Sequence, residues 1–253
     1  MDELTTRFPE ILFEGCSSGG NRFDLGILNY FPQIWASDNT DALCRTGIQN
    51  SYSYGYPLSV FTAHVSSCPN HQTLRITPLE TRFQVASFGV LGYECNLKDL
   101  SGSDLNAIRE QIALYKKWRE VFQFGTFYRG TENEDSDSET LSWTCVSPDG
   151  RRAVGLFFRR LTTPNQSHDW YRPVGLLPDV KYHFYGRNIK YNLKDFGDLV
   201  NTVSPVHIKQ GSALQEILSR FVNMDGEKED LTALEMRWLP YVLREKEQYL
   251  RCP

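Results

Sequence analysis

The sequence predicts an α/β domain with a parallel sheet, followed by an antiparallel β domain. From residue 10 to about residue 125, short apolar runs alternate with segments of helical character, a rhythm that is typical of parallel sheets. An acidic segment, RGTENEDSDSETLS, follows at residues 129–142 and is too hydrophilic to be buried. After it, the runs LSWTCVS, RRAVGLFFRRL, VKYHFYG and NIKYNL are separated by Pro and Gly turns, which indicates antiparallel strands.

Four apolar runs of the first region are predicted to be buried strands. They are EILFEG, PQIWAS, LSVFTAHV and FQVASFGVLGYE, which begin at residues 10, 32, 58 and 83. The segments NTDALCRTGIQNSYSYG and TPLETRF lie between them, and we expect both to be crossovers. A βα rhythm of this kind favours a parallel sheet.

The strongest helical pattern is SDLNAIREQIALYKKWREVFQF, which ends at residue 124. Its apolar residues recur at helical spacing, and they are Leu105, Ile108, Ile112 and Tyr115. Ser101 and Asp104 have the spacing of a capping box at the start of this helix. We expect the helix to pack against the last strand of the parallel sheet.

These patterns predict three parts of the chain. Residues 1–125 form the α/β domain, residues 126–140 an acidic linker, and residues 141–253 the antiparallel domain. From about residue 231 the sequence DLTALEMRWLPYVLREKEQYLRCP becomes charged and helical in character, so we interpret it as an aberrant tail.

The composition is that of a globular protein without an electrostatic site for nucleic acid. The 253 residues are 40% hydrophobic, which is enough for a sizeable core. Because the net charge is −4 and the basic residues are scattered, we expect no nucleic acid partner. The N-terminal MDELTTRFPEILFEG lacks a secretory pattern and no long apolar window exists, which predicts a cytoplasmic protein without membrane spans. The six cysteines are widely spread, which favours free thiols.

The first predicted strand is followed by the glycine-containing loop CSSGGNRFD. Its small residues would let the backbone approach a ligand closely, while hydroxyl, thiol and N–H groups offer hydrogen bonds. A tight turn explains the same residues equally well. A phosphate site that uses Arg22 is a third interpretation, but no Walker-type lysine follows the glycines.

The second predicted strand is followed by DNTD, which begins at Asp38. Asp38 could be a general acid, with Trp35 or Tyr30 offering an apolar face for a sugar. Alternatively, Asp38 or Thr40 caps the next helix, and the spacing alone favours this cap.

The third predicted strand carries or precedes three side chains that could bind zinc. They are His64, Cys68 and His71, but their spacing is not that of a standard zinc site. We therefore interpret them as polar loop residues and expect neither a metal nor a cofactor.

Several long motifs stand in order along most of the chain. They are FEGCSSGGNRFDLGILNYFPQIWASDNTDA, YGYPLSVFTAHVSSCPNHQT, TPLETRF, FGVLGYECNL and LPDVKYHFYGRNIKYNLKDFGDLVN. In these motifs the chain closely resembles the α-galactosidases of glycoside hydrolase family 36, from about Phe8 to Asp230. Several uncommon motifs in register are more specific than any single motif.

The resemblance implies a fold and an activity. The fold is a partial (β/α)8 barrel of about four βα units followed by a small antiparallel β-sandwich. The activity is retaining hydrolysis of terminal α-linked galactose from oligosaccharides such as raffinose or melibiose, without a cofactor. Full-length members of the family are expected to be homo-oligomers.

The resemblance also implies roles for particular residues. In the family, the first Asp of the SDNTD-type motif is the acid/base, and this position is Asp38. Capping of the next helix then falls to Thr40 or Asp41. The loop of the CxSGG type contacts the sugar, which implies contacts from Cys16, Ser18 and Gly19. Asn21 stands in GGNRFD where the family pattern has glycine.

The sequence lacks the family motif that carries the second carboxylate of a retaining glycosidase. It lies about 5 to 5.5 Å from the acid/base and forms the glycosyl-enzyme intermediate. In the family it belongs to a WDxN motif, which does not occur in this sequence, and neither Asp24 nor Asp41 stands at a nucleophilic position of the family. We therefore expect part of a hydrolase without its nucleophile, and alternatively an inactive galactose-binding module or a non-functional remnant.

Overall fold

The computed structural model describes residues 1–130, 140–160, 173–178, 180–186, 231–232 and 246–251. A parallel sheet is formed by β1 (Glu14–Gly15), β2 (Gln33–Trp35), β3 (Phe61–Ser66) and β4 (Val90–Glu94), adjacent in this order. The predicted parallel sheet of four βα units is therefore confirmed.

Helices connect and cover these strands. They are α1 (Asp2–Arg7), the one-turn segment α2 (Ser17–Gly20), α3 (Ala42–Tyr52), α4 (Leu79–Ala86) and α5 (Gly102–Phe124). Three short 3-10 helices span Ile27–Asn29, Leu58–Val60 and Leu97–Asp99. Among the helices that the structure describes, none is long and apolar enough to cross a membrane. The cytoplasmic location stays a prediction.

The segment FQVASFGVLGYE is only partly a strand. Its first residues belong to α4, and β4 begins at Val90. The prediction of a single strand is wrong here because every residue from Thr81 to Ala86 is buried, the polar Thr81, Arg82 and Gln84 included. Polar and apolar residues therefore do not separate onto an exposed and a buried face of this helix. A short run that is buried on all sides cannot be assigned to a helix or a strand by periodicity.

The start of α5 has the predicted cap. The Ser101 hydroxyl accepts a hydrogen bond from the Asp104 N–H at 3.1 Å and donates one to the Asp104 carboxylate at 2.7 Å. The Tyr115 hydroxyl donates to the carbonyl of Gly89 at 2.7 Å, directly before β4. The packing of this helix against the last parallel strand is therefore confirmed.

The two faces of the parallel sheet differ in polarity. Paired positions of neighbouring parallel strands project to the same face, and the side chains alternate along each strand. One face carries Ile34, Phe61, Ala63 and Val65, which are almost completely buried. The other face carries Trp35, Thr62, His64 and Glu94. The second face therefore presents polar groups beside the strand ends.

The start of α3 is capped by Asp41. Its Oδ1 accepts hydrogen bonds from the N–H groups of Leu43 at 2.8 Å and Cys44 at 3.3 Å. The cap that spacing alone favours, Asp38 or Thr40, is therefore wrong. Of the two residues left for capping once Asp38 is taken as the acid/base, Thr40 and Asp41, the one that caps is Asp41. Spacing did not separate these candidates because all four residues of DNTD have side chains that can cap.

The capping carboxylate also forms an ion pair with Arg75, whose side chain is partly exposed. The Asp41 Oδ2 accepts from Arg75 Nε at 2.8 Å and from the Thr73 hydroxyl, and the Asp41 side chain is completely buried. Burial by itself raises the pKa of Asp41, but the hydrogen bonds from Thr73, Arg75 and the helix N–H groups outweigh it and lower that pKa below its usual range.

Six strands form the antiparallel sheet. In spatial order they are β5 (Thr126–Arg129), β6 (Thr140–Val146), β7 (Arg152–Arg159), β10 (Lys246–Arg251), β8 (Lys181–Gly186) and β9 (Leu231–Thr232). The predicted antiparallel domain is confirmed. Strand β5 lies within the segment that we predicted to be a linker, and the domain bounds stay a prediction. The predicted strand NIKYNL lies outside the described residues.

The tail contains a strand where its pattern predicts a helix. Strand β10 pairs with β7 on one side and β8 on the other, so the helical expectation is wrong for Lys246–Arg251. Unpaired strand edges offer backbone hydrogen bonds to any extended segment, which overrides a weak helical preference. Residues 233–245 lie outside the described part of the chain.

A continuous core joins the two sheets. The ring centroid of Phe88, which precedes β4, lies 5.2 Å from that of Phe122 in α5 and 5.3 Å from that of Trp143 in β6. The Trp143 indole donates a hydrogen bond to the Asn50 side chain in α3 at 3.1 Å. Of the six cysteines, the five in the described ranges are free, and they are Cys16, Cys44, Cys68, Cys95 and Cys145.

Two phenylalanines near the end of α5 test this core. Phe122 is 0% exposed and Phe124 is 67% exposed. We expect Phe122→Ala to lower the free energy of unfolding by about 3 to 5 kcal/mol, because it removes a buried ring and leaves a cavity. Phe124→Ala is expected to change it by less than about 0.5 kcal/mol in urea denaturation. Equal losses in both variants would contradict the packing of α5.

The two carboxylates of DNTD test the assignment of the cap. Asparagine caps helices well, so we expect Asp41→Asn to lower the free energy of unfolding at pH 7 by about 1 to 3 kcal/mol through the lost charge. The pKa of Asp41 is lower in the folded state than in the unfolded state. The contribution of the Asp41 charge to the free energy of unfolding is therefore present above about pH 4 and is lost as the pH falls through the folded pKa. The difference between wild type and Asp41→Asn should therefore shrink in acid.

Asp38→Asn is the control for this experiment, three residues away in the same loop. We expect it to change the free energy of unfolding by less than about 0.5 kcal/mol, because the Asp38 side chain is exposed and caps nothing. Urea denaturation at pH 7 and in acid measures both variants. A larger loss in Asp38→Asn than in Asp41→Asn would overturn the assignment.

Candidate active site

The loop after β1 turns sharply over four residues. Ser18, Gly19 and Gly20 have φ values of 58°, 73° and 91°, which lie in the left-handed region. The Gly20 N–H closes the turn on the carbonyl of Cys16 at 2.7 Å. Cys16 and Ser18 are exposed. The loop is therefore a tight turn, and it also exposes Cys16 and Ser18, two of the residues predicted to contact a ligand, to solvent.

The same loop lies directly against the loop after β2. A methyl group at Gly19 would lie 2.8 Å from the backbone nitrogen of Asp38 and 3.2 Å from its Oδ2. A methyl group at Gly20 would overlap the carbonyl oxygen of Ala36. Only glycine permits this approach, because the positions need both a positive φ and no Cβ. The structure thus brings the predicted residues Gly19 and Asp38 into contact.

Asp38 has an exposed carboxylate at the carboxyl end of β2. Its Oδ1 accepts a hydrogen bond from the Trp35 indole Nε1 at 2.8 Å. Reactive groups of parallel α/β folds lie on loops at this end of the strands. The position and exposure of Asp38 therefore suit a group that exchanges protons with a ligand.

Trp35 does not offer a face for a sugar. It is 8% exposed, and its ring is contacted by the guanidinium of Arg45 at 4.6 Å and by the ring of His64 at 4.4 Å. The expectation of sugar stacking on Trp35 is therefore wrong. Burial lowers the pKa of Arg45 to about 10, with nearby anionic groups acting in the opposite direction. Tyr30, the other candidate, is half-buried.

Asp24 and His64, two of the other candidates, have structural partners, whereas Cys68 and His71 are exposed. Asp24 accepts a hydrogen bond from the Ile27 N–H at 2.9 Å and lies 3.8 Å from Arg22, the cation of the alternative phosphate site. His64 Nδ1 lies 3.3 Å from Glu94 Oε2. Within the described residues, no group of three side chains could hold a metal ion.

Sequence reasoning missed the residues that surround Trp35. The sequence patterns give no role to Arg45, which lies in a predicted crossover segment. In the structure Arg45 is buried and donates to the carbonyls of Ser37 and Thr62 at 3.2 and 2.7 Å. A charged residue one turn into a helix is usually exposed, so no local signal distinguishes this one. Glu94 is the last residue of β4, where the strand-end rule could have indicated it.

Known proteins match both parts of this chain. The Melibiase family model matches residues 1–125, and the model of the glycosyl hydrolase family 36 C-terminal domain matches residues 140–217. The first match includes the parallel sheet and the whole candidate site, and the second includes strands β6, β7 and β8 of the antiparallel sheet.

Relatives of this chain include α-galactosidases. The chain is 46% identical over 182 residues to alpha-galactosidase 1 of Pediococcus pentosaceus and 43% identical over 189 residues to alpha-galactosidase AgaA of Geobacillus stearothermophilus. These alignments include 72% and 75% of this chain, but only 25% and 26% of those proteins. The chain thus spans about a quarter of the length of the curated relatives that it matches.

A solved structure matches the fold over the entire chain. It is a variant of AgaA from Geobacillus stearothermophilus in complex with raffinose, with a TM-score of 0.76 and 33% identity. The match includes 100% of this chain and 30% of that chain. Both family models and the relatives indicate the same family. The chain therefore belongs to glycoside hydrolase family 36, the family of these α-galactosidases.

Proposed function

We propose that this chain supplies the acid/base half of an α-galactosidase active site. Asp38 is the acid/base, and the β1 loop with Cys16, Ser18 and Gly19 binds the galactose ring. The observation that carries the proposal is the exposed Asp38 carboxylate in contact with Gly19 of the neighbouring loop. A sugar held by that loop would have its glycosidic oxygen within reach of the carboxyl group.

The acid/base must perform two proton transfers. It first protonates the glycosidic oxygen of the leaving group, and it then deprotonates the water that attacks the glycosyl-enzyme intermediate. Asp38 supports this assignment because Trp35 occupies only its Oδ1 and the side chain is exposed to an incoming substrate. Asp41 does not suit the role, since its buried carboxylate is occupied by the cap and by Arg75.

The β1 loop supports galactose binding through its shape and its polar groups. The Ser18 hydroxyl can donate and accept hydrogen bonds, and Cys16 offers a small exposed side chain. Gly19 lacks a side chain at the point where the loop meets Asp38, so a sugar hydroxyl can approach the backbone. Galactose-terminated oligosaccharides such as raffinose, which is bound in the similar AgaA structure, are the proposed ligands.

The nucleophile is not among the proposed residues. A retaining mechanism needs a second carboxylate about 5 to 5.5 Å from the acid/base. The sequence contains no WDxN motif, and Asp24 and Asp41 are held by other groups. We infer that the nucleophile comes from residues outside these 253, and that the chain binds galactose without hydrolysing its glycosides.

The separation of binding from turnover can be tested by an activity assay. We expect the purified chain to release no nitrophenol from a nitrophenyl α-galactoside, because one carboxylate cannot form and resolve the covalent intermediate. The AgaA enzyme of Geobacillus stearothermophilus, assayed in parallel, is the positive control. Turnover by this chain that is lost in Asp38→Asn would contradict the inference about the nucleophile.

Two glycines provide a matched test of galactose binding by calorimetric titration. Gly19→Ala introduces a methyl group 2.8 Å from the Asp38 nitrogen at a residue with a φ of 73°, so the loop must move. We expect it to weaken galactose binding by about tenfold or more, since strain of this kind costs about 1 to 3 kcal/mol.

Gly47→Ala is the control for this titration. Gly47 lies within α3, and no atom stands within 4 Å of the place where a Cβ would be. We expect unchanged galactose affinity and a free energy of unfolding raised by about 0.5 to 1 kcal/mol. Absence of galactose binding by the folded wild-type chain, or equal affinity in all three proteins, would contradict the proposed site.

A further inference from the structure

We propose that Trp35 is a positioning residue for Asp38, and that Arg45 and His64 fix the indole ring in turn. The role of the positioned carboxylate rests on the proposed function, but the hydrogen bond and its supports are properties of this chain. The proposal assigns a task to Trp35, which contacts the candidate acid/base, and to two side chains that contact Trp35.

The hydrogen bond from Trp35 selects one orientation of the carboxylate. The indole Nε1 donates to Asp38 Oδ1 at 2.8 Å, and an indole nitrogen can only donate. An N–H group that donates to an ionised carboxylate makes a charge-assisted hydrogen bond, which is stronger than a neutral one. With Oδ1 held in this way, Oδ2 is the oxygen that lies beside Gly19.

The ring of Trp35 is itself immobilised by its neighbours. It is 8% exposed, with the Arg45 guanidinium carbon 4.6 Å from the ring centroid. The ring of His64 stacks on it at 4.4 Å with an interplanar angle of 27°. An indole with contacts of this kind cannot rotate without displacing both groups, so the direction of its N–H is fixed.

Each supporting side chain is held by the strands. Arg45 donates to the carbonyls of Thr62 in β3 and Ser37, the residue before Asp38. His64 lies 3.3 Å from the carboxylate of Glu94. A methyl group at Gly92 would lie 2.5 Å from the His64 ring, so glycine at this position in β4 makes room for the imidazole. The supports therefore extend from β2 to β4.

The indole resonance of Trp35 gives a direct readout in the chain as it exists. In ¹H–¹⁵N spectra we expect the Nε1–H signal of Trp35 to move during an acid titration, because the charge on its acceptor is removed when Asp38 is protonated. Trp35→Phe identifies the signal by its loss. Trp143 donates to the uncharged Asn50 amide and serves as the internal control, whose signal should not follow the same curve.

Asp38→Asn is the matched variant, since it keeps an oxygen acceptor but cannot titrate. We expect the acid-range movement of the Trp35 signal to be lost in this variant, while any movement caused by protonation of His64 or Glu94 remains. A Trp35 signal that is unaffected by pH, or that moves identically in wild type and Asp38→Asn, would overturn the proposal. The readout needs neither galactose nor turnover, so a failed proposed function and a failed positioning role give different results.

Discussion

The close approach of the loops after β1 and β2 is the constraint on which the candidate site depends. Gly19 and Gly20 place their backbone against Ala36 and Asp38, at distances that no side chain would allow. The positive φ values of the β1 loop are needed for the same contact. Two neighbouring strand ends thereby form one surface, with the sugar-binding candidates on one loop and the acid/base candidate on the other.

The two aspartates of the segment DNTD have different environments. Asp41 is buried, caps α3 and pairs with Arg75, so its charge stabilises the fold. Because Asp41 satisfies the helix N-terminus, Asp38 is left outside the helix with an exposed carboxylate. Two aspartates in one short loop thus have opposite environments, which is how proteins assign different tasks to identical groups.

Most of the strands and helices could be predicted from the sequence, but much of their packing could not. Alternation of apolar runs with helical segments identified the parallel sheet, and Ser101 with Asp104 identified the start of α5. Periodicity failed in α4, which is buried on all sides, and β10 depends on strand edges distant in sequence. In the candidate site, the roles of Asp38 and Gly19 stay predictions that rest on the resemblance, and the structure shows that the two residues are in contact. The positions of Arg45 and Glu94 around Trp35 depend on tertiary contacts that no local pattern records.

The side chains that hold Asp38 in place belong to this chain. The second carboxylate that a retaining mechanism needs is not among the proposed residues. Trp35 lies in β2, His64 in β3, Glu94 in β4 and Arg45 in α3, so the orientation of Asp38 is set by contacts within the α/β part of the chain. The three strand residues lie on the polar face of the sheet. A chain organised in this way can hold Asp38, the candidate acid/base, in place before any nucleophile is present. Under the proposed function, ligand binding and turnover would therefore be separable, because they would depend on different residues.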